Sequence, residues 1–199
     1  MAGFDAHAAV GLELHLFARS GCPLTETPRE APAEHTAGCL AWSRGVQEAL
    51  LQGGFRTVVV SSYAGLQYDT GSAPDPRQVI ADGFRAAWSP LEASGTEVAV
   101  LLDTPSVGSR AWACAQAHPD DVNLCSPTLA AALRNDDGRS IAAEALGLRL
   151  LDLTRFFCAD GVCPVAVGGI RVYRDANHMT GTYSLLMTPY LEKVLLRGG

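Results

Sequence analysis

The sequence predicts an α/β fold on a parallel sheet, and two observations carry that prediction: short aliphatic runs ending in polar residues, and helically spaced apolar residues between those runs. "RTVVVSS" (Arg56 to Ser62) and "EVAVLLD" (Glu97 to Asp103) are largely β-branched or aliphatic. Such runs read as strands buried on both faces. "LELHLFA" (Leu12 to Ala18) alternates apolar and polar residues, the period of a half-buried strand, and "LRLLDL" (Leu148 to Leu153) supplies a fourth strand. Helical spacing runs over Leu40 to Leu51, Arg77 to Ala93 and Leu129 to Leu146. A last run, Met179, Tyr183, Leu186, Met187, Tyr190, Leu191 and Val194, keeps that spacing for about four turns and reads as a core face, with Pro189 as its discordant residue. Strand alternating with helix implies helices on both faces of the sheet.

At 199 residues and 48% hydrophobic, the chain is long enough for one α/β domain with a sizeable core, so residues 1–199 read as a single domain. A net charge of −6 lacks the basic stripe that phosphate binding needs, which excludes nucleic acid as an expected partner. No apolar run reaches the roughly 18 residues of a membrane span, and "MAGFDAHAAV" has neither a basic n-region nor an apolar h-region. No signal peptide is expected in this sequence. "PLTETPREAPAEHTAGC" (Pro23 to Cys39) reads as one long surface loop.

Six cysteines fall into three local pairs, Cys22 with Cys39, Cys114 with Cys125, and Cys158 with Cys163, each flanking a loop rich in Pro, Asp, Gly or Ala. That pattern predicts three loop-closing disulfides and an oxidising compartment. Six unrelated thiols are the competing reading, because six cysteines permit fifteen pairings. No C-x-x-C occurs and the intervals are too irregular for a finger or ribbon, so no metal is expected, nor any other cofactor.

In open α/β sheets the ligand crevice lies beyond the carboxyl ends of the strands, which directs attention to Arg19–Cys22, Ser61–Gly65, Asp103–Gly108 and the approach to His178. "VYRDANHMTGTY" (Val172 to Tyr183) sets Asp175 three residues before His178, after a Gly-Gly turn and just before the last helical run. A carboxylate there can hold an imidazole in one tautomer while the ring serves as general base. Alone, the same motif reads more readily as a turn-forming Asp and an exposed His. His15, His35 and His118 read as structural or exposed, Asp120 with Asp121 as a poor calcium signal, and Trp42, Trp88 and Trp112 as packing residues.

The residues around that motif decide between the readings. "CADGVCPVAVGGIRVYRDANHMTGTYSLLMTPYLEKVL" resembles the C-terminal block of the SGNH-type domain fused to membrane acyltransferase-3 proteins, with its Cys pair, "VYRD" strand end, D-x-x-H and closing helix. "LLDTPSVG", "CAQAHPDDVNLC" and "FARSGCP" match in type and order, so the resemblance spans about Gly11 to Leu196. It implies a three-layer α/β/α, flavodoxin-like SGNH-hydrolase fold outside the membrane, taking part in O-acylation, usually O-acetylation, of cell-surface or secreted glycans. It further implies that Asp175 and His178 are the orienter and base of a Ser-His-Asp triad, that an acylated glycan or small acyl ester is the substrate, and that a membrane acyltransferase is a partner.

The departure lies at the other end. Such domains begin with a strand leading into G-D-S-H, whose Ser is the nucleophile, and this sequence contains no G-D-S and no G-x-S-x-G. Either "FDAH" (Phe4 to His7) is a decayed form of that block, or the sequence starts inside the helix that follows it. The second is favoured, because Ala8 to Gly11 leave no room for a helix of some three turns before the next strand. The sheet, of order 2-1-3-4-5, is then expected to lack its first, central strand, and the chain alone to be inactive. Backbone amides of Ser20 and Gly21 are the expected oxyanion donors, with Ser62 and Tyr63 as further crevice residues and no side-chain oxyanion donor in view. The alternative to an esterase or O-acyltransferase domain is a non-catalytic module that recognises a glycan or a membrane acyltransferase.

Overall fold

A computed structural model of the chain describes residues 13–134 and 138–191. In chain order the elements are α1 (Ala33–Gln52), β1 (Thr57–Ser61), α2 (Pro76–Ala93), β2 (Glu97–Leu101), α3 (Gly108–Ala117) and α4 (Leu129–Ala132). They continue with α5 (Arg139–Leu146), β3 (Arg149–Leu151), α6 (Thr154–Phe157), β4 (Ala166–Val167), β5 (Ile170–Arg171) and α7 (Gly181–Leu186). They fall into two compact units: a sheet unit of residues 17–103 with 134–152, and a loop-rich unit made from 104–133, 153 onward and the residues before 17.

In the sheet unit, three parallel strands lie in the order β1-β2-β3. Thr57 stands opposite Glu97, Ser61 opposite Leu101, and Leu101 opposite Leu151. Parallel neighbours need a crossover, and α2 makes the one between β1 and β2. One face of the sheet, Val58, Val60, Val98 and Val100, joins a core with Val46 and Leu50 of α1, Phe84, Trp88 and Leu91 of α2, and Ala142 and Ala143 of α5. Helix α2 starts sharply because the Asp75 carboxylate accepts from the Gln78 amide at 3.1 Å and Pro76 sits in its first turn. Its Gly83 lets the chain at Thr27 approach closely: a Cβ there would lie 1.9 Å from Thr27 Oγ1.

In the loop-rich unit, β4 and β5 form a two-stranded hairpin whose turn residues, Gly168 and Gly169, have φ of 57° and 79°. Two positive φ values in succession are what a two-residue hairpin turn demands, and glycine supplies them without steric cost. Val165, Val172, Phe157, Tyr173 and Tyr183 are buried around this hairpin.

All three expected disulfides are present: Cys22–Cys39 in the sheet unit, and Cys114–Cys125 and Cys158–Cys163 in the other. Thiol titration of the unfolded, unreduced protein should therefore find almost no reactive sulfur. Five or six thiols per chain would contradict the pairing.

Several expectations are corrected. No strand forms over residues 13–18, Leu12 lying outside the described residues. Leu14 and Leu16 are 53% and 59% exposed there, since alternation alone cannot supply a partner strand. Strand β1 is not buried on both faces: Val59, between buried Val58 and Val60, is 42% exposed. The Pro23–Cys39 loop ends at Pro32, whose extended backbone leads straight into α1. Leu129 to Leu146 is two helices, because Leu133 is extended and Gly138, at φ 98°, can begin a helix but not continue one. The last helix breaks at Met187 and resumes at Thr188 up to Leu191; Val194 lies outside the described residues. The Cys114–Cys125 segment is not a loop throughout, since Cys114 stands within α3.

Candidate functional site

The segment after β5 closes on itself before α7 begins. Tyr173 and Met179 form an antiparallel bridge, the Arg174 amide donates to the His178 carbonyl at 2.9 Å, and the Thr180 amide donates to the Val172 carbonyl at 2.8 Å. This leaves Asp175, Ala176 and Asn177 as the tip. Asp175 Oδ1 accepts from the amides of Asn177 at 2.9 Å and His178 at 2.8 Å, a side-chain-to-backbone turn that fixes the tip. The His178 ring then lies over the same carboxylate, its Nδ1 3.0 Å from Oδ1 and 2.9 Å from Oδ2.

The tip is tied down from below. The Gly108 amide donates to the Ala176 carbonyl at 2.9 Å. Tyr173, fully buried, donates its hydroxyl to the Pro105 carbonyl at 2.9 Å. Burial, and then the neighbouring Tyr183, push the Tyr173 phenol well above its usual range, so it stays a neutral donor. Thr180 caps α7 by accepting from the Tyr183 amide at 3.1 Å, and its own hydroxyl donates to the Arg171 carbonyl at 2.7 Å. A rigid base thus carries an open top: the side chains of His178 and Asp175 are 64% and 43% exposed.

Three donors converge on one carboxylate, and its acidity follows. The Asn177 amide first and then the His178 amide hold Asp175 at about 2 against an opposing effect of burial, with a lesser contribution from the His178 ring. Above that value Asp175 is an anion that can only accept, so the facing Nδ1 carries the hydrogen, and when the ring is neutral Nε2 is the nitrogen that presents a lone pair to solvent. The sign for stability follows from the depression. The turn's contribution is fully present above the ordinary carboxylate value and is lost as pH falls through about 2. The carbon-13 shift of the Asp175 carboxylate should therefore show that group's own protonation step only near about 2. Such a step centred near pH 5 would contradict the depressed acidity.

Ser20, Gly21, Ser62 and Tyr63 belong to the sheet unit, while Asp175 and His178 stand together in the loop-rich one. Ser20 and Gly21 are the central residues of a turn closed by the Cys22 amide on the Arg19 carbonyl at 3.0 Å. Gly21 has φ 65°, a conformation that L side chains rarely adopt, and a Cβ there would displace Arg29 Nη1, 2.6 Å away. Among the described residues nothing accepts from the Ser20 or Gly21 amides. Ser62 follows β1, its carbonyl accepting from the buried Arg139. Tyr63 lies under the Arg134 guanidinium, 4.6 Å from ring centre to Cζ, and the next amide, Ala64, donates to Asp103 Oδ2 at 2.9 Å.

Sequence reasoning missed the residues that brace the motif. Thr180 left a signal, a hydroxyl residue directly before an apolar helical run. Tyr173 and Pro105 left none, because 68 residues separate them in the chain.

Comparison with known proteins adds the following. The family model of the SGNH domain fused to AT3 domains matches residues 1–193. No curated protein matches the chain. Among solved structures, the periplasmic domain of a lipopolysaccharide acetyltransferase from Salmonella ser. Paratyphi A is similar with a TM-score of 0.69, over 98% of this chain and 78% of that one. At 9% identity that likeness is one of fold.

Proposed function

We propose that this chain, which belongs to the family of SGNH domains fused to AT3 domains, takes part in moving an acyl group, in the first instance acetyl, to or from a hydroxyl of a cell-surface or secreted glycan outside the cytoplasm. The observation that carries the reading is the closed Asp175–His178 pair, with Nδ1 at 2.9 and 3.0 Å from the two carboxylate oxygens and the ring otherwise exposed. A base held in one tautomer by a permanent anion is what acyl transfer through a serine ester requires.

In this reading, His178 Nε2 takes the proton of an attacking serine hydroxyl, and the serine oxygen adds to the acyl carbonyl. The resulting imidazolium is stabilised by Asp175 and then protonates the departing alcohol. Water or an acceptor hydroxyl reverses the sequence with His178 again as base. Within the sheet unit, the turn at Ser20 and Gly21 has two amides unclaimed among the described residues, which are preorganised N–H groups. The sequence contains no G-D-S, so no serine of this chain is assigned as nucleophile. A membrane acyltransferase is the proposed partner, on the family's description as fused to AT3 domains.

Acetyl transfer tests the proposal. The protein, joined at its N-terminus to a strand ending in G-D-S-H, is incubated with a small acetyl ester and an acceptor oligosaccharide, and products are weighed by mass spectrometry. Acetylated sugar or released acetate above the level of the His178→Ala form supports the reading. Sugar binding without turnover in either form would favour a recognition module instead.

A further inference from the structure

The three disulfides stand in different electrostatic surroundings, and Cys22–Cys39 is set among cations. It joins the Arg19–Cys22 turn to α1, where His35 lies one helical turn before Cys39. His35 Nε2 is 3.5 Å from Cys39 Sγ and 3.2 Å from Arg29 Nη1. Arg29 Nη1 also donates to the Gly21 carbonyl at 2.6 Å, while its Nε is buried without a partner. On the other side, Arg19 Nη1 donates at 2.9 Å to the carbonyl of Gly38, the residue before Cys39. Among the described residues no carboxylate pairs with either arginine. Among the described residues, the charged or titratable side chains hydrogen-bonded at this bridge are thus Arg19, Arg29 and His35. Among the described residues, the sulfur hydrogen-bonded to a His ring nitrogen is that of Cys39.

Two ligands would suit such a place. The donor atoms of Cys22, His35 and Cys39 lie within 4.8 Å of one another, a spacing a soft metal ion could use once the sulfurs were reduced. The guanidinium against His35 Nε2 opposes a cation and favours an anion, as does an unspent buried N–H. The anion the site can generate is its own: a Cys39 thiolate.

We propose that Cys22–Cys39 is a redox-sensitive site and not a permanent staple, with Cys39 as the stabilised leaving thiolate. A dithiol reductant attacks Cys22 Sγ through one thiolate, forming a mixed disulfide and expelling Cys39 as thiolate beside the Arg29 guanidinium. The reductant's second thiolate then closes its own disulfide and releases Cys22, which takes up a proton. Two electrons pass from the dithiol to the protein, one of its two protons ends on Cys22, and the other goes to solvent. Nearby cations lower a thiol's pKa, and a lower pKa makes it a better leaving group and its disulfide easier to reduce. Because the bridge pins the turn that carries the Ser20 and Gly21 amides, its opening loosens that turn. This redox chemistry does not rest on the function proposed above.

The test uses no substrate. The whole protein is equilibrated in glutathione buffers of rising reducing strength, quenched in acid and alkylated, and each pair is read by mass spectrometry. Cys22–Cys39 should open at a [GSH]²/[GSSG] ratio about tenfold or more below the other two, roughly 30 mV for a two-electron couple. Arg29→Gln should move its midpoint toward stronger reductant, with Arg29→Lys in between. In Cys22→Ser, the pH dependence of Cys39 alkylation should titrate at least about one unit below the ordinary thiol value near 8.5. Opening together with or after the other pairs, a midpoint indifferent to Arg29→Gln, or a Cys39 pKa at or above the ordinary value would each overturn the proposal.

Discussion

Joined to a strand that ends in G-D-S-H, the protein should hydrolyse small acetyl esters, and His178→Ala in that form should lower kcat by on the order of a millionfold. The size follows from the way a nucleophile and its base act as one unit: removing either leaves only the contribution of binding and oxyanion donors. The sequence as it stands, without a G-D-S block, should hydrolyse the same esters no faster than buffer, because an oriented imidazole with no hydroxyl partner cannot form the acyl-enzyme. Asp175→Asn should fall between these limits, since the turn geometry survives in part while the fixed tautomer is lost. Turnover by the unextended protein that persists in His178→Ala would place the chemistry on other residues.

Trp88→Ala should cost about 3–5 kcal/mol of stability, a large share of the roughly 5–15 kcal/mol typical of a domain. Trp88 is only 1% exposed and packs against Phe84 at 5.0 Å between ring centres. Its Nε1 donates to the Leu24 carbonyl at 3.1 Å, so the truncation leaves both a cavity and an unpaired carbonyl. Trp88→Phe keeps most of the volume and loses the hydrogen bond, for a cost of about 1 kcal/mol. Urea unfolding followed by circular dichroism reads both. A midpoint unchanged in Trp88→Ala would mean that α2 does not pack on the sheet through this residue.

The parts legible in the sequence were those written locally. Val58 to Val60 and Val98 to Val100 are aliphatic runs bounded by polar residues, and both form strands within the expected limits. Each cysteine pair lies within a few turns of chain, so the pairing needed no knowledge of the fold. Asp175 and His178 meet because three residues and an Asx turn suffice to bring them together.

What the sequence hid depends on distant chain. Leu12 to Ala18 has the alternation of a strand, yet a strand exists only where another offers its backbone groups. The exposed Val59 has the same cause, since burial on the second face depends on what covers it. The break between α4 and α5 turns on the extended Leu133 and on Gly138 at positive φ, which apolar spacing does not register. Helix α3 was overlooked because its small and polar residues, Gly108 to Ala117, carry little periodic signal. The Arg29–His35–Cys39 cluster was half visible: His35 and Cys39 share a helical face by their spacing of four, but Arg29 reaches them only through the fold.

The central claim is that the Asp175 carboxylate fixes the His178 ring with its hydrogen on Nδ1 and its lone pair on Nε2. Nitrogen-15 NMR of the ring, at a pH where the imidazole is neutral, tests it most directly. The account predicts that Nδ1 resonates as a protonated nitrogen and Nε2 as an unprotonated one, and that Asp175→Ala shifts both toward the averaged values of a free ring. A ring protonated on Nε2, or one whose signals do not respond to Asp175→Ala, would contradict it.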